Sequence, residues 1–352
     1  MTAELTAGQS ARASADTEIP IGDRFVVHGV RISVASDHAR AAAALRRRLR
    51  HFHASGAEST GDARETDIHV EIRAVDEGRD HPIDRPSVAM RRVYDPPAGE
   101  VLYARATDEL YIDYLGRVRV LCDAATGRIQ ISIRELSGTD WWLGAHPLFT
   151  LPLVEMMKRN GRYMVHAAGV CRDGRALLLP GESGAGKSTL TLALMRAGFA
   201  LLGDDTCYLS ATPSGLRILP FADAMNVTDH TAQFFPEVSR AEQLPHEVPR
   251  RPGTFKRSVL PEDVFDIELA SECAPAVVVF PAISDREESI IEPLDPASAL
   301  LELTPNVLLT DPRSSQLHLD ALAALVRESR CYRLKTGRDF DRIPALLGSL
   351  LE

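Results

Sequence analysis

The chain has only five cysteines, Cys122, Cys171, Cys207, Cys273 and Cys331, and no CxxC pair. Wide spacing and an odd number point to neither a disulfide framework nor a zinc site, so they read as small buried apolar residues in a reducing cytoplasm. Nowhere does an uninterrupted apolar run reach the length that spans a bilayer, so a membrane is not expected as a partner. Residues 1–20 are rich in Ala, Ser, Thr and acidic side chains and lack an apolar stretch behind a basic start. They read as a disordered lead, not a secretory signal. Positive charge is also short, with 40 Lys and Arg against 49 Asp and Glu and a net charge of −9, so nucleic acid is not expected as the main partner.

What is present is ordinary for a globular protein, with 45% hydrophobic and 25% charged residues, and 352 residues are enough for two domains. The most informative stretch is Gly181-Glu182-Ser183-Gly184-Ala185-Gly186-Lys187-Ser188, which fits the phosphate-binding loop template of Gly, four residues, then Gly-Lys-Ser. An apolar run, Ala176-Leu177-Leu178-Leu179-Pro180, precedes it and a helix-like run from Thr189 to Ala197 follows, which is the context the motif needs. Glycines let the backbone curl so that its N–H groups converge on phosphate oxygens, and the helix adds its dipole. Lys187 would reach the outer phosphates and the Ser188 hydroxyl would ligate Mg²⁺, so ATP and Mg²⁺ are the expected ligands.

Ahead of this loop, Phe25 to Val34 reads as a strand, and Asp37 as the cap of a helical segment from His38 to His53 carrying Arg46, Arg47, Arg48 and Arg50 on a solvated face. Ile68 to Ile72 alternates as a half-buried strand, and short strand-like runs between Arg91 and Glu135 are punctuated by Gly116 and Gly127. This half is expected to be a mostly antiparallel sheet with one early helix. Trp141 and Trp142 read as a packing anchor between the two halves, with stacking on a nucleobase as the alternative. Arg162 to Val170 reads as the next strand. Phe199 to Gly203 reads as a core strand ending in Asp204-Asp205, where a nucleotide-binding core keeps its metal- or water-orienting acid. Farther on, His246 to Arg257 reads as a basic loop whose Arg250, Arg251, Lys256 and Arg257 either meet charge in a transition state or are solvated. The last part reads as strand (Ala276 to Phe280), helix (Ser315 to Arg327) and strand (Cys331 to Leu334).

Met164-Val165-His166-Ala167-Ala168, the loop from Pro180 to Thr189, Arg196-Ala197-Gly198-Phe199 and Leu202-Gly203-Asp204-Asp205 together resemble, in order and spacing, the catalytic domain of the HPr kinase/phosphorylase family. The resemblance implies an α/β fold with a phosphate-loop kinase core of the HPr kinase type, here preceded by a β-rich α+β N-terminal domain. The division is then a lead at 1–20, an N-terminal domain at 21–140 and a catalytic domain at 141–352. It implies that residues 181–189 hold the nucleotide phosphates, that Lys187 neutralises charge, and that Ser188 and Asp204 hold the metal. Asp205 would be the base that takes the proton of the attacking hydroxyl. His166 matches the family's active-site histidine and reads equally well as a satisfied structural residue.

The Glu-Ile-Arg-Gly signature of that family, which supplies a second metal ligand and the surface for the HPr protein, is absent. Ile218-Leu219-Pro220-Phe221-Ala222-Asp223-Ala224-Met225-Asn226-Val227 stands in its place. With a divergent N-terminal half, the chain is similar to the kinase homologues found beside biosynthetic genes for modified peptides, which phosphorylate a serine of a precursor peptide. The expected activity is therefore a cytoplasmic serine kinase acting on a peptide or protein, and homo-oligomers are the family's habit. A small-molecule alcohol kinase and a non-catalytic ATP-binding regulator are the alternatives.

Overall fold

Period-two alternation of apolar residues decides the first half of the molecule: in Ile68–Ala74 the side chains of Ile68, Val70 and Ile72 are buried and their neighbours are not. The structure, a computed structural model, describes residues 21–54, 67–96, 99–134, 149–238, 246–248, 251–266 and 269–352. The lead at 1–20, the boundary at residue 140, Trp141 and Trp142, and Arg250 all lie outside the described residues.

Eight strands form one sheet: β1 (Ile21–Val27), β2 (Val30–Ser36), β3 (Ile68–Ala74), β4 (Arg91–Tyr94), β5 (Glu100–Ala104), β6 (Glu109–Tyr114), β7 (Val118–Asp123) and β8 (Arg128–Ile133), in the order β1-β2-β3-β8-β7-β6-β5-β4. The expected single strand from Phe25 to Val34 is in fact a hairpin. His28 and Gly29 both take positive φ, 51° and 83°, the geometry of a two-residue turn that the valine-rich runs on either side concealed. Pairing is antiparallel except at β2–β3 and β3–β8, which are parallel. Helix α1 (Ala39–Arg48) makes the first of these crossovers, and its cap is His38, whose ring accepts the amide of Ala41. Asp37, the expected cap, instead accepts the amide of Ala74 at 2.6 Å.

Among the described residues, the second half places twelve further strands in three sheets. A six-stranded sheet is built from β10 (Ala167–Arg172), β11 (Arg175–Pro180), β12 (Ala200–Gly203), β18 (Ala274–Ile283), β19 (Ile290–Pro293) and β20 (Arg330–Thr336), ordered β12-β10-β11-β18-β20-β19. Strands β9 (Tyr163–Val165), β13 (Cys207–Thr212) and β14 (Gly215–Leu219) form a second sheet. The third holds β15 (Met225–Thr228), β16 (His246–Val248) and β17 (Arg251–Val259), so the expected basic loop is a strand pair. The longer helices here are α2 (Leu151–Arg159), α3 (Lys187–Arg196), α4 (Pro296–Leu303), α5 (Pro312–Glu328) and α6 (Ile343–Ser349). The molecule is thus a mixed α/β fold with several sheets.

The expected strand from Arg162 to Val170 is broken at His166, where the chain leaves β9 of one sheet and enters β10 of another. Residues 204–206 make the reverse change between β12 and β13, and because β9 pairs with β13 and β10 with β12, the two changes lie side by side. Gly203 is required there: a Cβ would run into the carbonyl oxygens of Thr206 and Phe221. Residue 203 can therefore let the chain double back onto the second sheet only if it carries no side chain.

The halves share one core. Phe25, Val27 and the β3 and β8 isoleucines cluster with Tyr208, Leu219, Phe221 and Leu308 from the second half. Polar ties run alongside: Arg48 pairs with Asp223 at 2.8 Å, Arg50 pairs with Glu262, and Arg162 donates to the His28 carbonyl at 3.0 Å. The α1 arginines therefore do not form the purely solvated face expected of them, since Arg46 also holds Asp23. A further correction concerns the cysteines. Cys171, at the end of β10, and Cys273, just before β18, form a disulfide whose 102-residue separation gave no local signal, while Cys122, Cys207 and Cys331 are buried and free. That pairing removes the argument from cysteine usage for a reducing compartment. Among the described residues no helix is long and apolar enough to cross a membrane.

Candidate functional site

Strand β11 is fully buried from Ala176 to Leu179, which fixes the point at which residues 181–186 leave the sheet. Helix α3 then begins at Lys187 and buries Leu190, Leu192 and Leu194, each worth roughly 1.5–3 kcal/mol of apolar burial. Between them the loop curls through Gly184 and Gly186, with φ of 89° and 96°, a region that L side chains avoid. Gly186 is the residue before the first helical turn, so the loop amides and the free N–H groups of α3 belong to one concave run. Glu182, Ser183 and Gly184 form its exposed rim.

Lys187 is buried, and its ammonium donates to the carbonyl of Gly181 at 2.7 Å, with Nε2 of His166 3.5 Å away. Burial lowers its pKa, and Asp205 and Asp204 oppose that. The Ser188 hydroxyl donates to Oδ2 of Asp204 at 2.9 Å. Asp204 is buried, its other oxygen, Oδ1, has no hydrogen-bond partner among the described residues, and burial followed by repulsion from Asp205 pushes its pKa up to about 7. Thr189 turns away from the loop and shares a hydrogen bond of 3.0 Å with Thr231.

Asp205, beside it, behaves oppositely. Burial pushes its carboxyl up, but positive charge around it, from the His166 ring when protonated and from Lys187 and Lys256, together with the Asn226 side chain, brings it below the usual range. His166 reaches this group through the backbone: its Nδ1 donates to the Asp205 carbonyl at 3.0 Å. A neutral ring must then present Nε2 as an acceptor toward Lys187, and burial together with the Lys187 charge lowers the ring's pKa. The sheet change described above is thus what brings His166, Asp204 and Asp205 to the mouth of the loop.

The fold therefore gathers Lys187, Ser188, Asp204, Asp205 and His166 in one place, and Thr189 lies at its edge. Sequence reasoning did not single out Asn226, which sits on β15 opposite Ser258 of β17 and accepts that residue's hydroxyl hydrogen bond at 2.7 Å. It lies in the very stretch that replaces the missing signature, and only the register of β15 on β17 reveals its place. Of the basic residues around 250, Lys256 lies 3.5 Å from the Ser183 hydroxyl, whereas Arg257 is paired with Asp229 at 3.0 Å.

Among the described residues no group of three or more His, Cys, Asp or Glu side chains forms a metal cage. The donor set present, one hydroxyl and one buried carboxylate with a free oxygen, suits a hard cation that takes its remaining ligands from water and phosphate.

No family model matches the chain, and no curated protein matches it. Among solved structures it is similar to the Hpr(Ser) kinase/phosphatase from Coxiella burnetii, with 17% identity and a TM-score of 0.25 over 53% of this chain and 92% of that one. A likeness of that size carries no weight for function.

Proposed function

We propose that the chain is an ATP-dependent kinase of the HPr kinase type that transfers the γ-phosphoryl group to a hydroxyl, that of a serine in a peptide or protein. One observation carries this reading: a glycine-curled loop opening a helix has, at its mouth, a Ser188–Asp204 hydrogen bond and a second carboxylate, Asp205, kept charged beside Lys187. A glycine-rich turn with no ligand does not require a buried acid pair next to its lysine.

Residues 181–188 would hold the phosphates through backbone amides, with Lys187 as the neutralising charge. Ser188 and Asp204 would hold Mg²⁺, which when bound supplies charge neutralisation at the phosphate oxygens. Asp205 would orient the acceptor hydroxyl and take its proton as the oxygen attacks phosphorus, while the bond to the bridging oxygen breaks and ADP leaves. A lowered carboxyl pKa suits this work, because a loose phosphoryl-transfer transition state asks for placement of the nucleophile more than for a strong base. His166 is a positioning residue in this scheme, holding the 204–206 backbone through the Asp205 carbonyl.

The test is transfer from γ-labelled ATP to serine-containing peptides and, in parallel, to hydroxylated small molecules. Label should enter peptide serine, and Asp205→Asn should keep nucleotide binding within a few-fold while losing about 10²–10⁴ in transfer rate. Label entering only small alcohols would remove the peptide acceptor, and full activity of the variant would remove Asp205 from the chemistry.

A further inference from the structure

The small sheet of β15, β16 and β17 has two unlike faces. Met225, Val227 and Val259 point into the core that packs Leu192, Ala193 and Met195 of α3, so that face is anchored to the helix behind the loop. The register pairs Met225 with Val259, Asn226 with Ser258, Val227 with Arg257 and Thr228 with Lys256. Alternation therefore sends Asn226, Ser258 and Lys256 to the opposite face. That face looks onto the loop mouth, since Lys256 stands 3.5 Å from the Ser183 hydroxyl on the loop rim and the Asn226 side chain helps lower the pKa of Asp205.

Lys256 is half-buried and makes no ion pair with a carboxylate among the described residues. Its ammonium stands at the loop rim, 3.5 Å from the Ser183 hydroxyl, and its charge contributes to the shifts at Lys187, His166 and Asp205. Two ammonium groups thus serve one loop, Lys187 bonded to the Gly181 carbonyl inside it and Lys256 beside Ser183 on its rim. Like charges facing each other oppose folding, and this arrangement is sensible where a multiply charged anion sits between them.

Resting on the kinase reading, we propose that Lys256 is a catalytic residue that contacts the terminal phosphate of ATP, delivered across the loop by β17 as the counterpart of Lys187. Its neighbours decide which phosphate. Lys256 reaches the loop at its exposed rim, beside Ser183, so its contact falls on the outermost phosphate, the γ-phosphoryl group that moves, and not on the phosphates that stay with ADP. Asn226 holds Asp205 from the same face, so a single sheet sets both the acid and the cation.

The experiment is calorimetric titration of the full chain with Mg·ATP and, separately, Mg·ADP, for wild type, Lys256→Ala, Lys256→Gln and Lys256→Arg, with thermal melts to show that each variant is folded. A charge-assisted phosphate contact predicts that Ala and Gln weaken Mg·ATP binding about 10- to 100-fold while Mg·ADP changes less than about threefold, and that Arg restores most of the ATP preference. Equal losses for both nucleotides, or none, in folded variants would overturn the assignment of Lys256 and leave the kinase reading standing. A wild-type chain that binds neither nucleotide would instead remove the kinase reading itself.

Discussion

Ser188 and Asp204 are sixteen residues apart and meet through a single hydrogen bond of 2.9 Å, with the second Asp204 oxygen left without a partner among the described residues. An unpaired buried carboxylate oxygen is costly unless something else satisfies it, and the proposed divalent cation would do so. Ser188→Ala should therefore raise the Mg²⁺ concentration needed for half-maximal ATP binding by roughly tenfold; an unchanged Mg²⁺ dependence would remove Ser188 from the metal site. At this scale much was legible in the sequence. The Gly-Lys-Ser spacing and the double aspartate both imply chemistry by residue type, and the fold brings these residues together. Asn226 was illegible, because an asparagine after Ala-Met carries no signal until strand register sets it beside Asp205.

Between β12 and β13 the chain changes sheets within three residues, and this element, more than any one side chain, places the acid pair. Gly203 permits it, since a methyl group there meets two backbone oxygens that cannot move away independently. Gly203→Ala should lower stability by about 2–4 kcal/mol in denaturant unfolding and should lose nucleotide-dependent activity beyond that loss, because Asp204 and Asp205 shift with the backbone. A variant as stable and active as wild type would show that the crossing has slack. The same element explains which expectations failed. A largely apolar run such as Phe25 to Val34, or Arg162 to Val170, looks continuous to pattern reading, yet both are interrupted, one by a positive-φ turn at His28 and Gly29 and the other by a change of sheet at His166. Interruptions of this kind are set by what the strands pair with, which one chain segment cannot express. The basic stretch near 250 misled for the opposite reason, since its proline and glycine suggest a loop while long-range pairing to β15 makes it strand.

Across the whole molecule, helix α2 is the joint. Lys158 is buried and satisfied by Glu155 at 2.9 Å, the Leu308 carbonyl and Thr310, while Arg159 reaches Asp108 of the first sheet with two hydrogen bonds. Nearby, His318 of α5 donates from Nε2 to the Met164 carbonyl at 2.6 Å, and its other ring nitrogen is buried without a partner among the described residues. Burial brings the pKa of His318 down to about 4, and burial does the same to His28, whose ring holds the Pro220 carbonyl at 2.7 Å between the halves. Both histidines are neutral in the folded chain and protonate readily only when unfolded. Their stabilising contribution is therefore complete above about pH 6.5 and is lost as pH falls through the window toward about 4. Between pH 7.5 and 5.5 the unfolding free energy should fall by about 1 kcal/mol per histidine, and His318→Gln should flatten part of that slope. A slope identical in the variant would mean that His318 takes up its proton at the same pH in the folded and the unfolded chain.

The central claim is that the curled loop and its lysine grip a triphosphate with magnesium. Titration calorimetry of Mg·ATP into the folded wild-type chain tests it most directly. Saturable one-site binding is the predicted result, weakened at least tenfold by Lys187→Ala; no heat of binding from wild-type protein whose melting curve shows it to be folded would contradict the account.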